Sequence, residues 1–391
     1  MQLRPHQEQA VKAMLRNTKG QIIVPTGGGK TMCMIDDAMN EFSRSYMGQT
    51  IVVVAPRILL ANQLSAEFLE FIDNAEVLHV HSGETRHYST TEASRISVWS
   101  SKNAVSNQII FTTYHSLHRI QESGIHVDTI YFDEAHNSVQ KNFYQSTEYF
   151  SFNADRCYFF TATPKHSRTP SKAGMNWTKT YGQVICQVPA PKLVNQGYIL
   201  PPKVEVYKTR ILEKDELVAD RDSEQMIDAI DNLKKNKVLI CAKSTKQIVN
   251  LVSHTKFVSE LAWRGYSYML ITSKTGAIID GEKVDREEFF NVLNAWGQDP
   301  DKRFVVLHHS ILSEGMNVKG LEAVLFMRSM DYIGISQTIG RVIRKGAEDK
   351  VFGLVCIPVY SKVGISTATK VEAVVDTIFN KGEAATTVIT R

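Results

Sequence analysis

Gln21-Ile22-Ile23-Val24-Pro25-Thr26-Gly27-Gly28-Gly29-Lys30-Thr31 joins an apolar run to a glycine-rich turn and a Lys-Thr pair, and the apolar stretch Met32 to Phe42 follows. The run Ile22 to Val24 predicts a buried strand, and the stretch after the turn predicts a helix. Glycines without a Cβ let backbone N–H groups close on phosphates, and the helix N-terminus adds the positive end of its dipole. In such a cradle Pro25, Thr26, Gly27, Gly28 and Gly29 form the wall. Lys30 reaches the β- and γ-phosphates of a nucleotide, and the Thr31 hydroxyl meets Mg²⁺. There is one departure: the general pattern G-x-x-x-x-G-K-[ST] places glycine at position 24, where this chain has Val24.

Outward from that loop, 391 residues suggest two or three domains. Hydrophobic content of 43% with 22% charged residues fits a soluble globular chain. No apolar run approaches the roughly 20 residues of a membrane span. The N-terminus has no apolar signal core, so a cytoplasmic protein without a membrane partner is expected. Cys33, Cys157, Cys186, Cys241 and Cys356 are scattered, and suit buried reduced thiols better than a zinc site or a disulfide framework. A net charge of +4 is too mild to argue for nucleic acid by itself.

The chain opens with Arg4-Pro5-His6-Gln7, where Pro5 suits a helix start. The Gln7 amide has the donors and acceptor that complement an adenine edge. Strands are predicted at 50–55, 108–113, 129–132 and 156–160, with a crossover helix over 58–71. The segment 79–107, with His81 and His87, is expected to be a solvated connection. Thr129-Ile130-Tyr131-Phe132 delivers Asp133 and Glu134 to the carboxyl end of a strand, where open α/β sheets bind ligands. There Asp133 is placed to hold Mg²⁺ and Glu134 to activate the attacking water. Residues 165–204 contain no acid and carry Trp177, Tyr181 and Tyr198 among basic residues. They form either a long connecting loop whose aromatics pack on the core or a surface that stacks bases. Pro189, Pro191, Gly197, Pro201 and Pro202 mark an interdomain linker, after which strands at 237–242, 267–272, 304–307 and 323–327 predict a second parallel α/β domain.

Gln337-Thr338-Ile339-Gly340-Arg341-Val342-Ile343-Arg344 puts Gln337, Arg341 and Arg344 on one helical face. With the phosphate loop, Asp133-Glu134-Ala135-His136 and Thr161-Ala162-Thr163 already in place, the chain resembles the DEAH-containing helicases and translocases of superfamily 2. The resemblance runs from Arg4 to about Arg344. It implies two tandem RecA-like domains with mostly parallel sheets and an ATP cleft between them. The expected boundaries are 1–190 for the first domain, 191–203 for a linker, 204–360 for the second domain, and 361–391 for a C-terminal helix and tail. Arg4, Gln7 and Gly315 join the phosphate loop in holding ATP. Lys30, Glu134, Gln337, Arg341 and Arg344 are the implied catalytic set, the arginines acting as fingers on the γ-phosphate. Arg57, Thr112, Thr113, Ser244, Thr245, Thr272 and Ser313 match blocks that contact the nucleic-acid backbone. Thr161, Thr163 and His136 would couple that track to the nucleotide.

The P-T-G-G-G-K-T wording and the Arg-Pro-His-Gln opening look more like the DNA-directed branch, with its UvsW, RecG and XPB-like proteins. The resemblance therefore implies an ATP-dependent DNA helicase or translocase of replication, recombination or repair, possibly encoded by a phage. It is expected to be monomeric and to lack an N-terminal accessory domain. The alternatives are an RNA helicase and an ATP-driven clamp or annealing protein.

Overall fold

A computed structural model describes residues 2–45, 47–208, 213–242, 244–272, 275–309, 320–327, 332–342, 353–359 and 362–390. The chain divides into two compact units, residues 1–189 with 386–391, and residues 190–385.

In the first unit α1 (Pro5–Arg16), β1 (Lys19–Ile23), α2 (Lys30–Arg44), β2 (Thr50–Ala55), α3 (Ile58–Leu69) and β3 (Ala75–Val80) come first. Next are α4 (Ala93–Lys102), β4 (Asn107–Thr113), α5 (Leu117–Ser123), β5 (Thr129–Phe132), α6 (Lys141–Asn153) and β6 (Arg156–Thr161). Short elements β7 (Lys165–Ser167), α7 (Thr178–Tyr181) and β8 (Val184–Gln187) end the run. Seven strands make one sheet in the order β3-β4-β2-β5-β6-β1-β8, every pair parallel. A parallel sheet is covered on both faces, which explains why β2 is apolar at consecutive positions and buried throughout. Alternate residues still split between faces: Val52, Val54, Ile110, Ile130, Phe132 and Phe159 fill one core.

The second unit runs α8 (Ala190–Asn195), β9 (Pro202–Lys208), α9 (Val218–Leu233), β10 (Lys237–Cys241), α10 (Thr245–His254), α11 (Phe257–Trp263) and β11 (Ser267–Thr272). Then come β12 (Gly276–Ile279), β13 (Glu282–Val284), α12 (Arg286–Gln298), β14 (Phe304–His308), β15 (Ala323–Phe326), α13 (Tyr332–Val342), β16 (Gly353–Val359) and α14 (Lys362–Val375). Its eight-stranded sheet has the order β13-β12-β11-β14-β10-β15-β16-β9 and is parallel apart from the antiparallel β11–β12 and β12–β13 pairs. Pro202 opens β9 at the sheet edge, where a missing N–H costs little. No helix among the described residues is long and apolar enough to cross a membrane.

Three stretches differ from the sequence expectation. Residues 165–204 are built into structure: β8 extends the first sheet, and β9 begins the edge of the second. Tyr181 is fully buried, 4.8 Å from the Phe159 ring, and Trp177 meets Tyr144 edge-on, so these two aromatics pack on the core, the first of the two readings the sequence left open. His79 and His81 are buried and bonded to each other at 3.0 Å, with Ser65 and Asn62 as further partners, instead of lying in a solvated connection. The segment after α14 ends in β17 (Thr387–Ile389), which pairs in parallel with β7 of the first unit.

A buried polar knot secures α2 to this sheet. Asp37, with no exposed surface, receives Arg156 through two bonds of 2.8 and 3.0 Å and the Tyr131 hydroxyl at 2.6 Å. Arg156 also pairs with Glu41 at 2.9 Å. Every buried charge therefore has close partners, the condition under which burying it is tolerated.

Candidate active site

Strand order decides which side chains meet. β5, β6 and β1 are neighbours, with Phe132 opposite Phe159 and Ile23 opposite Thr161. Their carboxyl ends set Asp133-Glu134, Thr161 and the phosphate loop side by side. Val24 is buried and its N–H donates to the Thr161 carbonyl, so β1 pairing continues through the position where the general pattern has glycine. The turn begins after it, which absorbs the departure.

Gly27 (φ 86°) and Gly29 (φ 78°) both occupy the left-handed region, and Gly29 caps α2. A Cβ on Gly29 would lie 2.4 Å from Gln7 Nε2. From α1, Gln7 donates to the Gly29 carbonyl at 3.1 Å and accepts from the Arg4 N–H at 2.8 Å. In this structure the Gln7 amide bonds both the loop and the Arg4 backbone. His6 was not singled out from sequence, yet its Nε2 lies 2.7 Å from the Gly28 carbonyl. Its place beside Gln7 was the available signal.

Lys30 Nζ lies 3.6 Å from Glu134 Oε1, both side chains nearly buried. Glu134 has φ 44°, an unusual value for a residue with a Cβ, at the turn that brings its carboxylate to the loop. Its Oε2 is 3.5 Å from His136 Nδ1, which is 3.0 Å from Thr161 Oγ1 and 3.3 Å from Thr163 Oγ1. The Thr163 N–H donates to Thr161 Oγ1 at 3.0 Å. Burial pushes the Asp133 carboxyl up, and the neighbouring Glu134 charge adds to the rise while Lys30 opposes it. Tyr114, buried behind the site, donates to the Asp133 carbonyl at 2.8 Å. Thr26 Oγ1 is buried with no hydrogen-bond partner. An orphaned hydroxyl, left-handed glycines, a helix N-terminus and a lysine on one loop fit a nucleotide triphosphate. Thr31 and Asp133 supply the hard oxygen donors that suit a divalent cation.

In the first unit the candidate backbone contacts lie at the carboxyl ends of β2 and β4. Exposed Arg57 follows β2, while Thr112 and Thr113 end β4. Thr112 is buried, donating to the Val80 carbonyl at 2.9 Å, and Thr113 lies 3.4 Å from Ser116. In the second unit Ser244 caps α10 by accepting from the Gln247 N–H at 3.2 Å, and Thr245 starts that helix. The buried Thr272 hydroxyl shares a 2.7 Å bond with Thr275. Thr112 and Thr272 thus shape strand ends, a role their position in sequence did not separate from contact with a polymer. Gln337 is buried on α13, which also carries Arg341. Arg344, Gly315 and Ser313 lie outside the described residues.

Residues 1–166 match the family model described as Type III restriction enzyme, res subunit. No curated protein matches the sequence. Among solved structures the chain is similar to the ATP-dependent Type ISP restriction-modification enzyme LlaBIII bound to DNA, with 17% identity and a TM-score of 0.76 over the whole chain. A nuclease-deletion mutant of the Type ISP enzyme LlaGI with a DNA substrate mimic gives 19% identity and a TM-score of 0.70 over 99% of the chain. The chain spans only 31% and 30% of those two enzymes. S. cerevisiae Dbp5 bound to RNA and ADP BeF3 gives 15% identity and a TM-score of 0.59, with 99% of this chain and 89% of Dbp5 covered. These likenesses show the fold: two tandem α/β units of the RecA-like kind.

Proposed function

We propose that this chain is an ATP-dependent motor acting on DNA, of the DNA-directed helicase and translocase branch. The observation that carries the proposal is the continuous contact from Lys30 through Glu134 and His136 to Thr161 and Thr163. It links a phosphate-binding loop to the end of β6, in the same sheet as β2 and β4, whose carboxyl ends carry Arg57, Thr112 and Thr113.

Lys30 and the loop N–H groups would hold the β- and γ-phosphates, and Glu134 would orient and deprotonate water for attack on the γ-phosphorus. Thr31 and Asp133 would hold Mg²⁺, which neutralises charge on the phosphate oxygens when bound. Gln337, Arg341 and Arg344 would act in the same hydrolysis, the arginines stabilising charge that develops during transfer. His136, within reach of Glu134 and both threonines, would pass the change in Glu134's partners to the Thr161–Thr163 segment. DNA is favoured because LlaBIII and LlaGI, similar over essentially the whole chain, were captured with DNA or its mimic. The likeness to Dbp5 bound to RNA makes RNA the alternative.

ATP turnover measured without polymer, then with single-stranded, duplex and forked DNA and with RNA, tests the proposal. Strong stimulation by DNA and weak stimulation by RNA is the expected result. Stimulation mainly by RNA would overturn the DNA assignment, and indifference to every polymer would overturn the motor.

A further inference from the structure

The chain passes between its two units twice, at residues 189–190 and again at 385–386. The second passage ends in β17, whose only partner strand among the described residues is β7, paired Thr387 to Lys165, Val388 to His166 and Ile389 to Ser167. Its first bond, from the Thr387 N–H, goes to the Pro164 carbonyl at 3.2 Å, and its last runs from the Arg168 N–H to the Ile389 carbonyl at 2.9 Å. Ile389 packs against the core of the first unit. Pro164 directly follows Thr163, whose hydroxyl contacts His136, so β17 grips the chain one residue beyond the candidate coupling block.

At its other end the segment is held equally closely. The Glu383 N–H donates to the Thr377 carbonyl in the π-helical turn Asp376–Asn380 that follows α14, and Ala385 is buried. Four residue steps separate Glu383 from Thr387, a reach of at most about 14 Å when fully extended. A connection this short caps the spacing of its anchors at that reach, whereas a longer flexible linker would not.

We infer that Thr387, Val388 and Ile389 are positioning residues: a second, short tether through which displacement of the second unit acts on Pro164 and the Thr161–Thr163 block. The inference rests on the proposed motor function and adds a specific mechanical route to it.

The test separates a tether from a strand that merely packs. His166→Cys with Val388→Cys places two thiols at paired positions of neighbouring strands, close enough for a disulfide that enforces docking. Within that cross-linked protein, a ten-residue Gly/Ser insert between Ala385 and Thr386 adds slack and leaves β17 in place. The insert is expected to reduce DNA-stimulated turnover three- to tenfold, roughly the range seen when coupling elements are altered, with KM for ATP preserved. Equal DNA stimulation with and without the insert would overturn the tether. If the parent protein ignored DNA altogether, the functional reading would fail first, and the inference with it.

Discussion

Two buried ion pairs hold the same helix, α2, to the same sheet, and they are built differently. Asp37–Arg156 is bidentate, at 2.8 and 3.0 Å, with Tyr131 and Glu41 completing the shell. Lys30–Glu134, near the helix N-terminus, is a single contact of 3.6 Å, too long for a hydrogen bond, beside the partnerless hydroxyl of Thr26. A knot with every donor and acceptor matched fixes the helix. The longer pair makes no direct hydrogen bond of its own, and among the described residues the Thr26 hydroxyl of the same loop has no partner. The quality of partnering separates the structural charge cluster from the candidate chemical one, although both are buried and conventional in composition.

The sharpest way to break this comparison is to exchange the consequences. Glu134→Gln keeps the side chain's shape but removes its basicity, so ATP hydrolysis should fall by about 10²–10⁴-fold with nucleotide binding retained. Nucleotide binding by fluorescence together with turnover checks this, and full residual turnover would reject Glu134 as the base. Asp37→Ala should do the opposite. It strands the Arg156 guanidinium among buried groups and should destabilise the first unit by about 3–5 kcal/mol, read as a lower denaturant midpoint. If Asp37→Ala unfolded at the parental midpoint, the knot would not be structural.

A smaller effect tests the loop itself. Gly29→Ala forces a Cβ into the left-handed region at a cost of about 1–2 kcal/mol and pushes the end of the Gln7 side chain off the Gly29 carbonyl. The expected outcome is weaker nucleotide binding at nearly unchanged strand content, measured by titration and circular dichroism.

The smallest effect concerns a third buried cluster. Burial, with His81 and His87 adding to it, lowers the His79 imidazole from 6.5 to about 3. The unfolded chain therefore binds more protons than the folded one between those values. Stability contributed by the neutral ring is complete above about pH 6.5 and is lost progressively as pH falls toward 3. His79→Gln should flatten that part of the stability–pH curve, and an unchanged acid limb would remove His79 as its source.

Much of the first unit is legible from short stretches. The loop from Pro25 to Thr31 and the pair Asp133-Glu134 are contiguous in sequence, and each follows an apolar run long enough to read as a parallel strand. Other features are not local. β8 is four residues long with only one of them buried, so hydrophobic pattern does not announce it. Gln7 bonds the Gly29 carbonyl 22 positions away, a partner its own neighbourhood does not announce. Tyr181 has the composition of a stacking residue and the position of a core one.

The sequence by itself determined the α/β class, the phosphate loop and the carboxylate strand, because these depend on residue type and spacing within about a dozen positions. Only the tertiary structure decided which polar groups satisfy one another. Asp37 finds Arg156 119 positions away, Lys30 finds Glu134 across three adjacent strands, and Thr387 finds Pro164 after the chain has left the first unit and returned. Such pairings depend on strand order and register, which bring distant positions into contact without leaving a signal in local composition.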